Sequence, residues 1–370
     1  MSFTEVYKQH DWEDIKSQIY RKEANHVEAA LQKRGVRNLD DLMALLSPAA
    51  EPYLEEMAKL SHKLTLKRFG KTLQMYIPLY LSNKCSNNCI YCGFRRENRI
   101  KRITLTEDQI LNEVKIIKSY GFDHVLLVTG ESSKNAGIEY FEKVLRLIRP
   151  WFSHISMEVQ PMNQDDYSRL INLGLNTVLV YQETYGNNYP EFHPGGMKAD
   201  FFYRLETPDR LGAAGIHKIG LGCLLGLDDW RTDSFFVGLH VNYLEKNYWK
   251  TKYSISFPRL RPATGIIEPR VIVSDRDLVQ LICAYRIFNE NLELSLSTRE
   301  AEKFRNNAVK FGITSISAGS KTEPGGYSAK THELEQFEIN DSRTPEEIAN
   351  MISEQGYEPV WKDWDIHYGN

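Results

Sequence analysis

From Leu73 to Leu81 the chain reads L-Q-M-Y-I-P-L-Y-L, apolar and other positions alternating with the two-residue period of a strand. A helix is expected next, opened by a capping box at Thr106 and Gln109 and closed near Gly121. The same unit then recurs. Strands are expected at Val125 to Val128, Ile155 to Val159, Thr177 to Tyr181, Lys218 to Leu225, Tyr253 to Phe257, Glu293 to Ser297 and Thr314 to Ala318. Between them lie helical patterns at Gly137 to Ile148, Asp165 to Leu173, Ser234 to Asn247, Ser274 to Phe288 and Glu300 to Phe311. Eight strands separated by helix-bearing connections predict an α/β fold, a (β/α)8 barrel of the TIM type, over residues 73–318.

Residues 1–72 read as an N-terminal helical extension. Ser47 and Pro48 supply a cap and first turn, and Tyr53, Met57, Leu60 and Leu64 recur at helical spacing until Gly70. Residues 319–370 read as a C-terminal extension packing on the barrel, with a helix started by Thr344, Pro345 and Glu347 and ended at Gly356. In 370 residues the formal net charge is -3, so nothing advertises nucleic acid or an anionic membrane as partner. The first residues have no apolar signal core, and no apolar run approaches the roughly 20 residues of a spanning helix. A cytoplasmic protein is expected.

Three of the five cysteines, Cys85, Cys89 and Cys92, form the run C-S-N-N-C-I-Y-C directly after the first strand. Three thiolates leave one iron of a 4Fe-4S cluster without a protein ligand, and an open iron points to chemistry more than to electron storage. Structural zinc would need a fourth ligand, and neither His62 nor His124 has finger spacing. Cys223 and Cys283 stand alone in apolar stretches and read as core residues.

In a parallel barrel the loops at the carboxyl ends of the strands surround one mouth. The cysteines, Thr129-Gly130-Glu131, Glu158 and Gln160, Gln182-Glu183-Thr184, Arg259 and Arg261, Ser297-Thr298-Arg299 and Ser317 to Lys321 all follow expected strands. The spacing C-x3-C-x2-C, with an aromatic before the last cysteine, resembles the signature of radical S-adenosylmethionine enzymes. That resemblance implies that Cys85, Cys89 and Cys92 hold three irons while adenosylmethionine chelates the fourth, and that an electron from the cluster cleaves the sulfonium to methionine and a 5'-deoxyadenosyl radical. It places Tyr91 against adenine or substrate. Thr129-Gly130-Glu131 looks like the family's G-G-E motif, which faces the cofactor's ammonium. Glu183 can accept from the ribose hydroxyls, and Arg204 can hold the methionine carboxylate; an ion pair of Arg204 with Glu206 or Asp209 is the alternative. Asp209 and Arg210 read as structural.

The runs P-L-Y-L-S-N-K-C-S-N-N-C-I-Y-C-G-F, L-L-V-T-G-E, M-E-V-Q-P, V-Y-Q-E-T-Y, F-P-R-L-R-P, L-S-L-S-T-R-E, K-T-E-P-G-G-Y and, near the end, P-V-W-K-D-W-D, together resemble the aromatic amino acid lyases. Within them the likeness is to the tyrosine lyases of thiamine biosynthesis. It implies cleavage of the Cα–Cβ bond of L-tyrosine to 2-iminoacetate and 4-cresol, a low-potential electron donor, and a complex with thiazole synthase to receive the imine. Arg299 is expected to bind the tyrosine carboxylate, with an ion pair to Glu300 or Glu302 as its alternative. Ser317 is expected to add a hydrogen bond, and Ser320 is a weaker candidate. Arg259 and Arg261 flank Leu260 and should point opposite ways in extended chain, so at most one faces the site. None of the ten histidines is assigned a catalytic part. The related tyrosine lyase of hydrogenase maturation carries a second cluster on cysteines near its C-terminus, whereas here no cysteine follows Cys283. A non-catalytic iron-sulfur scaffold is the reading from another class.

Overall fold

The computed structural model describes residues 2–263, 267–328 and 336–362. Strands β1 (Thr72–Ser82), β2 (His124–Thr129), β3 (His154–Glu158), β4 (Thr177–Leu179), β5 (Lys218–Leu221), β6 (Lys252–Ser256), β7 (Glu293–Leu296) and β8 (Ser315–Ser317) pair in parallel, each with the next. β1 closes the ring by pairing with both β2 and β8. The (β/α)8 expectation therefore holds. Helices follow each strand, the eighth being Pro345–Glu354, whose buried Ile348 and Ile352 join the same core as the strands. A ninth strand, β9 (Glu358–Val360), pairs with the first residues of β1 and was not expected from its short sequence E-P-V. Asp363, Trp364 and Asp365 of the C-terminal run lie outside the described residues.

The alternation along β1 sorts its side chains. Leu73, Met75, Ile77, Leu79 and Leu81 are at most 1% exposed and pack outward on the helices. Gln74, Tyr76, Pro78 and Tyr80 face the barrel interior, where they line cavities. Other strands repeat the pattern with small polar residues pointing inward: Ser156, Ser254, Ser256, Ser295, Ser315 and Ser317. Barrels of this kind are usually filled by bulky branched side chains. Serines at those positions leave the interior open.

Helix boundaries shift where the environment hides the period. The expected start at Ser234 moves back to Trp230, capped by Asp229, whose carboxylate accepts from the Thr232 N–H at 2.9 Å. That helix is buried between the barrel and the N-terminal helices, so its polar first turn is partnered inside: the Arg231 guanidinium donates to the Leu46 carbonyl at 2.8 Å. Ser47 and Pro48 open a 3-10 turn over Pro48–Tyr53, and the α-helix begins only at Leu54. It buries Met57, Ser61 and Thr65 fully, and Tyr53, Leu60 and Leu64 of the expected stripe pack half-buried against the same core. Short helices at Tyr189–Phe192, Phe201–Leu205 and Thr207–Ala213 follow β4. Among the described residues no helix is long and apolar enough to cross a membrane.

Behind the mouth, Arg305 (0% exposed side chain) pairs with Asp341 (1%) and donates to the Ser317 carbonyl, tying the segment after β8 to the strand end. Asp341→Ala strands the guanidinium without its counter-charge. Loss of one partner from such a buried pair costs about 3–5 kcal/mol, so a clear fall in the urea midpoint is expected; an unchanged midpoint would show the pair to be dispensable.

Candidate active site at the barrel mouth

Cys85, Cys89 and Cys92 all line one cavity at the carboxyl ends of the strands, and all are free thiols. Burial pushes the Cys85 and Cys89 thiols up to about 12, so thiolates here require a cationic partner of the kind iron supplies. Among the described residues no three His, Cys, Asp or Glu side chains close on a single metal ion. Three thiols that share a cavity without meeting at one point suit a polynuclear cluster better than one zinc, and the residues present fit a 4Fe-4S group. The Gln336 amide donates to the Cys92 sulfur at 3.7 Å, a contact of the type that tunes cluster potential.

Two glycines shape the cysteine loop. A side chain at Gly130 would meet the Lys84 carbonyl at 2.6 Å and the Cys85 Cβ at 3.2 Å, so the strand β2 end can lie against the loop only without one. Gly196 has φ +91°, and a Cβ there would stand 2.6 Å from the Cα of Asn87. It belongs to the turn His193-Pro194-Gly195-Gly196, which was not singled out in the sequence. That turn clamps the loop: the Asn88 N–H donates to the Gly195 carbonyl at 3.1 Å and the Ile90 N–H to the Phe192 carbonyl at 3.2 Å.

Beside the thiols lie four buried charges. The Glu131 carboxylate accepts from the Arg204 guanidinium at 2.9 Å and the Asn87 amide at 2.7 Å. Burial works against its charge, yet Arg204 and Lys198 hold it below the usual carboxylate range. Glu183 is paired with Lys198 and lies 4.0 Å from Arg204. Arg204 also donates to the Tyr181 carbonyl at 2.7 Å. The surface pairing of Arg204 with Glu206 or Asp209 is thereby corrected: Arg204 is 5% exposed and turned inward. Asp209 instead accepts from the Tyr243 and Tyr248 hydroxyls, and Arg210 donates to backbone carbonyls. Glu183 has φ +74°, the one non-glycine residue with positive φ among those described, which aims it at the mouth at a cost of order 1 kcal/mol. Lys198 gave no sequence signal beyond its place after two glycines, since a single lysine usually reads as surface.

Tyr91 is half-buried in the cavity wall, its hydroxyl donating to His193 Nε2 at 2.7 Å while His193 Nδ1–H donates to the Tyr189 carbonyl at 2.8 Å. Burial pushes His193 down to about 2, which keeps the ring neutral and consistent with that tautomer. Thr129 lines the cavity with a buried hydroxyl that has no partner among the described residues, and so does Ser320. The Ser317 hydroxyl accepts from the Thr298 N–H at 3.1 Å. Gln160 and Gln182 turn away to the Ala136 and Phe201 carbonyls, and Thr184 donates to Asp233, so these three do not face the cavity.

Arg299 stacks on the Phe337 ring at 3.4 Å and has no ion pair among the described residues. The alternative pairings with Glu300 and Glu302 do not form. The Arg259 Nε–H donates to both Glu300 oxygens at 2.9 and 3.0 Å and a second guanidinium nitrogen reaches the same carboxylate, Arg261 donates to it at 3.1 Å, and Glu302 lies 3.5 Å from Arg343. Arg259 and Arg261 thus converge on one carboxylate instead of pointing apart, as two residues on either side of one position share a face in extended chain; of the two, Arg261 lines the cavity. Cys223 and Cys283 are buried thiols away from the other three, 5% and 0% exposed.

The radical SAM superfamily model matches residues 79–236, and the biotin and thiamin synthesis associated domain matches residues 256–358. The chain is 52% identical over 370 residues to the 2-iminoacetate synthase of Escherichia coli (strain K12), covering all of this chain and 98% of that protein. It is 51% identical, with the same coverage, to the 2-iminoacetate synthase of Salmonella typhimurium (strain LT2). Among solved structures it resembles HydG, a maturase of the [FeFe]-hydrogenase, with a TM-score of 0.85 and 34% identity over 96% of this chain and 78% of that one. Methylornithine synthase (PylB), at 18% identity and a TM-score of 0.72 over 90% of this chain and 97% of that one, shares the fold.

Gly196→Ala should drive the turn off Asn87 and loosen the cysteine loop. Iron bound after anaerobic reconstitution is expected to drop severalfold while far-ultraviolet circular dichroism stays native; full iron loading would show that the clamp is unnecessary.

Proposed function

The chain belongs to the 2-iminoacetate synthase family, and from that premise we propose how its barrel mouth works. The enzyme is a radical S-adenosylmethionine lyase that cleaves the Cα–Cβ bond of L-tyrosine to 2-iminoacetate and 4-cresol for the thiazole of thiamine. Its cofactors are a 4Fe-4S cluster and S-adenosylmethionine. The observation that carries the site assignment is the meeting in one cavity of three free thiols, a buried charge network and an arginine that is unpaired among the described residues.

Once reduced, the bound cofactors supply methionine and a 5'-deoxyadenosyl radical able to take hydrogen from tyrosine. Cys85, Cys89 and Cys92 hold the irons. Thr129, Gly130, Glu131 and Arg204 receive the methionine end of adenosylmethionine: Glu131 keeps lone pairs beyond its two present bonds for an ammonium, and the guanidinium suits a carboxylate. Glu183 accepts from the ribose hydroxyls. Tyr91, its hydroxyl engaged by His193, presents a ring to adenine or substrate. Arg299, free of the carboxylates beside it in sequence, binds the tyrosine carboxylate, with Ser317 and Ser320 supplying hydroxyls. Holding tyrosine by its polar end, away from water, brings one hydrogen within reach of the radical.

The imine product hydrolyses in water, which favours direct transfer to thiazole synthase from a complex at the barrel mouth. A low-potential one-electron donor completes the system. The cytoplasm, where thiols stay reduced, is the matching compartment.

Anaerobic reconstitution with iron and sulfide, followed by reductant, adenosylmethionine and tyrosine, should yield 5'-deoxyadenosine, 4-cresol and glyoxylate from the hydrolysed imine together. Cresol accompanied by cyanide would move the chain to the hydrogenase-type reaction. Cys89→Ala should abolish every product. Arg299→Ala should keep its iron yet bind tyrosine about tenfold or more weakly, as expected for loss of a charge-assisted contact; undiminished affinity would remove Arg299 from the substrate site.

A further inference from the structure

Glu158, the last residue of β3, lines the same cavity, and its carboxyl makes no hydrogen bond or ion pair among the described residues. That sets it apart from the other carboxylates of the mouth, because Glu131, Glu183 and Glu300 each have a cationic partner. Arg299, on the other side of the barrel after β7, is the matching cation without a carboxylate among the described residues. Around Glu158, whose carboxyl burial pushes up, Arg299 is the charge that opposes that rise most. A cavity holding one unpaired anion and one unpaired cation on opposite walls is complementary to a zwitterion.

We propose that Glu158 receives the α-ammonium group of the substrate while Arg299 receives its carboxylate, so that the mouth selects an α-amino acid by both charges. This rests on the reading of the mouth as a tyrosine-lyase site. Glu158 is half-buried at the cavity wall, where its carboxyl, without a partner among the described residues, is left for water or a ligand to complete. Burial pushes the Glu158 carboxyl up to about 7, the Arg299 charge acting against that rise. An arriving ammonium favours the ionised form, which couples amino-acid binding to loss of a proton. The groups facing Glu158 are Arg299, Glu183, Lys198 and Arg204 from the surrounding loops, with the phenols of Tyr76, Tyr80 and Tyr181 on β1 and after β4. Of the cations, Lys198 and Arg204 are already engaged by Glu183 and Glu131.

The test compares two probes on the reconstituted holoenzyme with adenosylmethionine bound and no reductant: L-tyrosine and 3-(4-hydroxyphenyl)propionate, which lacks only the amino group. Wild-type protein should prefer tyrosine by about tenfold or more. Glu158→Gln, close in shape and uncharged, should lose that preference through weaker tyrosine binding, while its affinity for the propionate stays within about twofold. Glu158→Asp keeps the charge at shorter reach and should retain part of the preference. In wild type alone the preference should fall as pH drops from about 8 to about 6, where the carboxyl takes up its proton. A preference unchanged in both variants overturns the proposal, as does equal weakening of both probes in Glu158→Gln. Failure of wild-type enzyme to form cresol from tyrosine would instead strike the underlying reading, so the two failures are distinguishable.

Discussion

Four buried charges beside the cysteine loop must balance one another away from water, and this constraint organises the mouth. Glu131 and Glu183 carry two negative charges, Arg204 and Lys198 two positive ones, and each carboxylate has a cation within contact. An unpaired charge at such depth is prohibitively expensive, whereas a matched set with good hydrogen bonds is tolerated. The pairing links the loops after β2 and β4 and the segment around Lys198 into one frame. Asn87 ties that frame to the cysteine loop by bonding both Glu131 and the Lys198 N–H. The cysteine loop and the charge network are therefore held in place by the same contacts.

A second constraint is room. A (β/α)8 barrel normally fills its interior, and here the strands place serines where branched side chains would stand. The apolar residues of the same strands point outward and carry the packing against the helices, so opening the interior does not empty the core. The open space is lined in part by Tyr80, Phe94, Leu224, Leu260 and Phe337, so apolar walls surround a set of placed polar groups.

Inside that enclosure several polar groups have no partner among the described residues. Arg299, Glu158, Thr129 and Ser320 have capacity that the described protein does not use. Arg259, Arg261 and Glu300 look similar in sequence but satisfy one another. The difference between a binding group and a supporting one lies in what else each side chain reaches.

The sequence by itself determined the repeating strand and helix units, the barrel class and the three thiols. Those features are local: a two-residue period, a capping box, or a fixed spacing survives in one dimension because neighbouring residues produce it. The likeness of ordered motifs along the whole chain carried the reaction as well. Only tertiary structure decided that Arg204 turns from Glu206 to Glu131, that Arg259 and Arg261 converge, and that Lys198 and His193 join the site from an unremarked turn. It also decided β9 and the first turn of the Trp230–Asn247 helix, whose polar residues are buried among elements distant in sequence. Long side chains reach across the fold to partners chosen by burial and charge balance, and no spacing along the chain encodes which partner lies there.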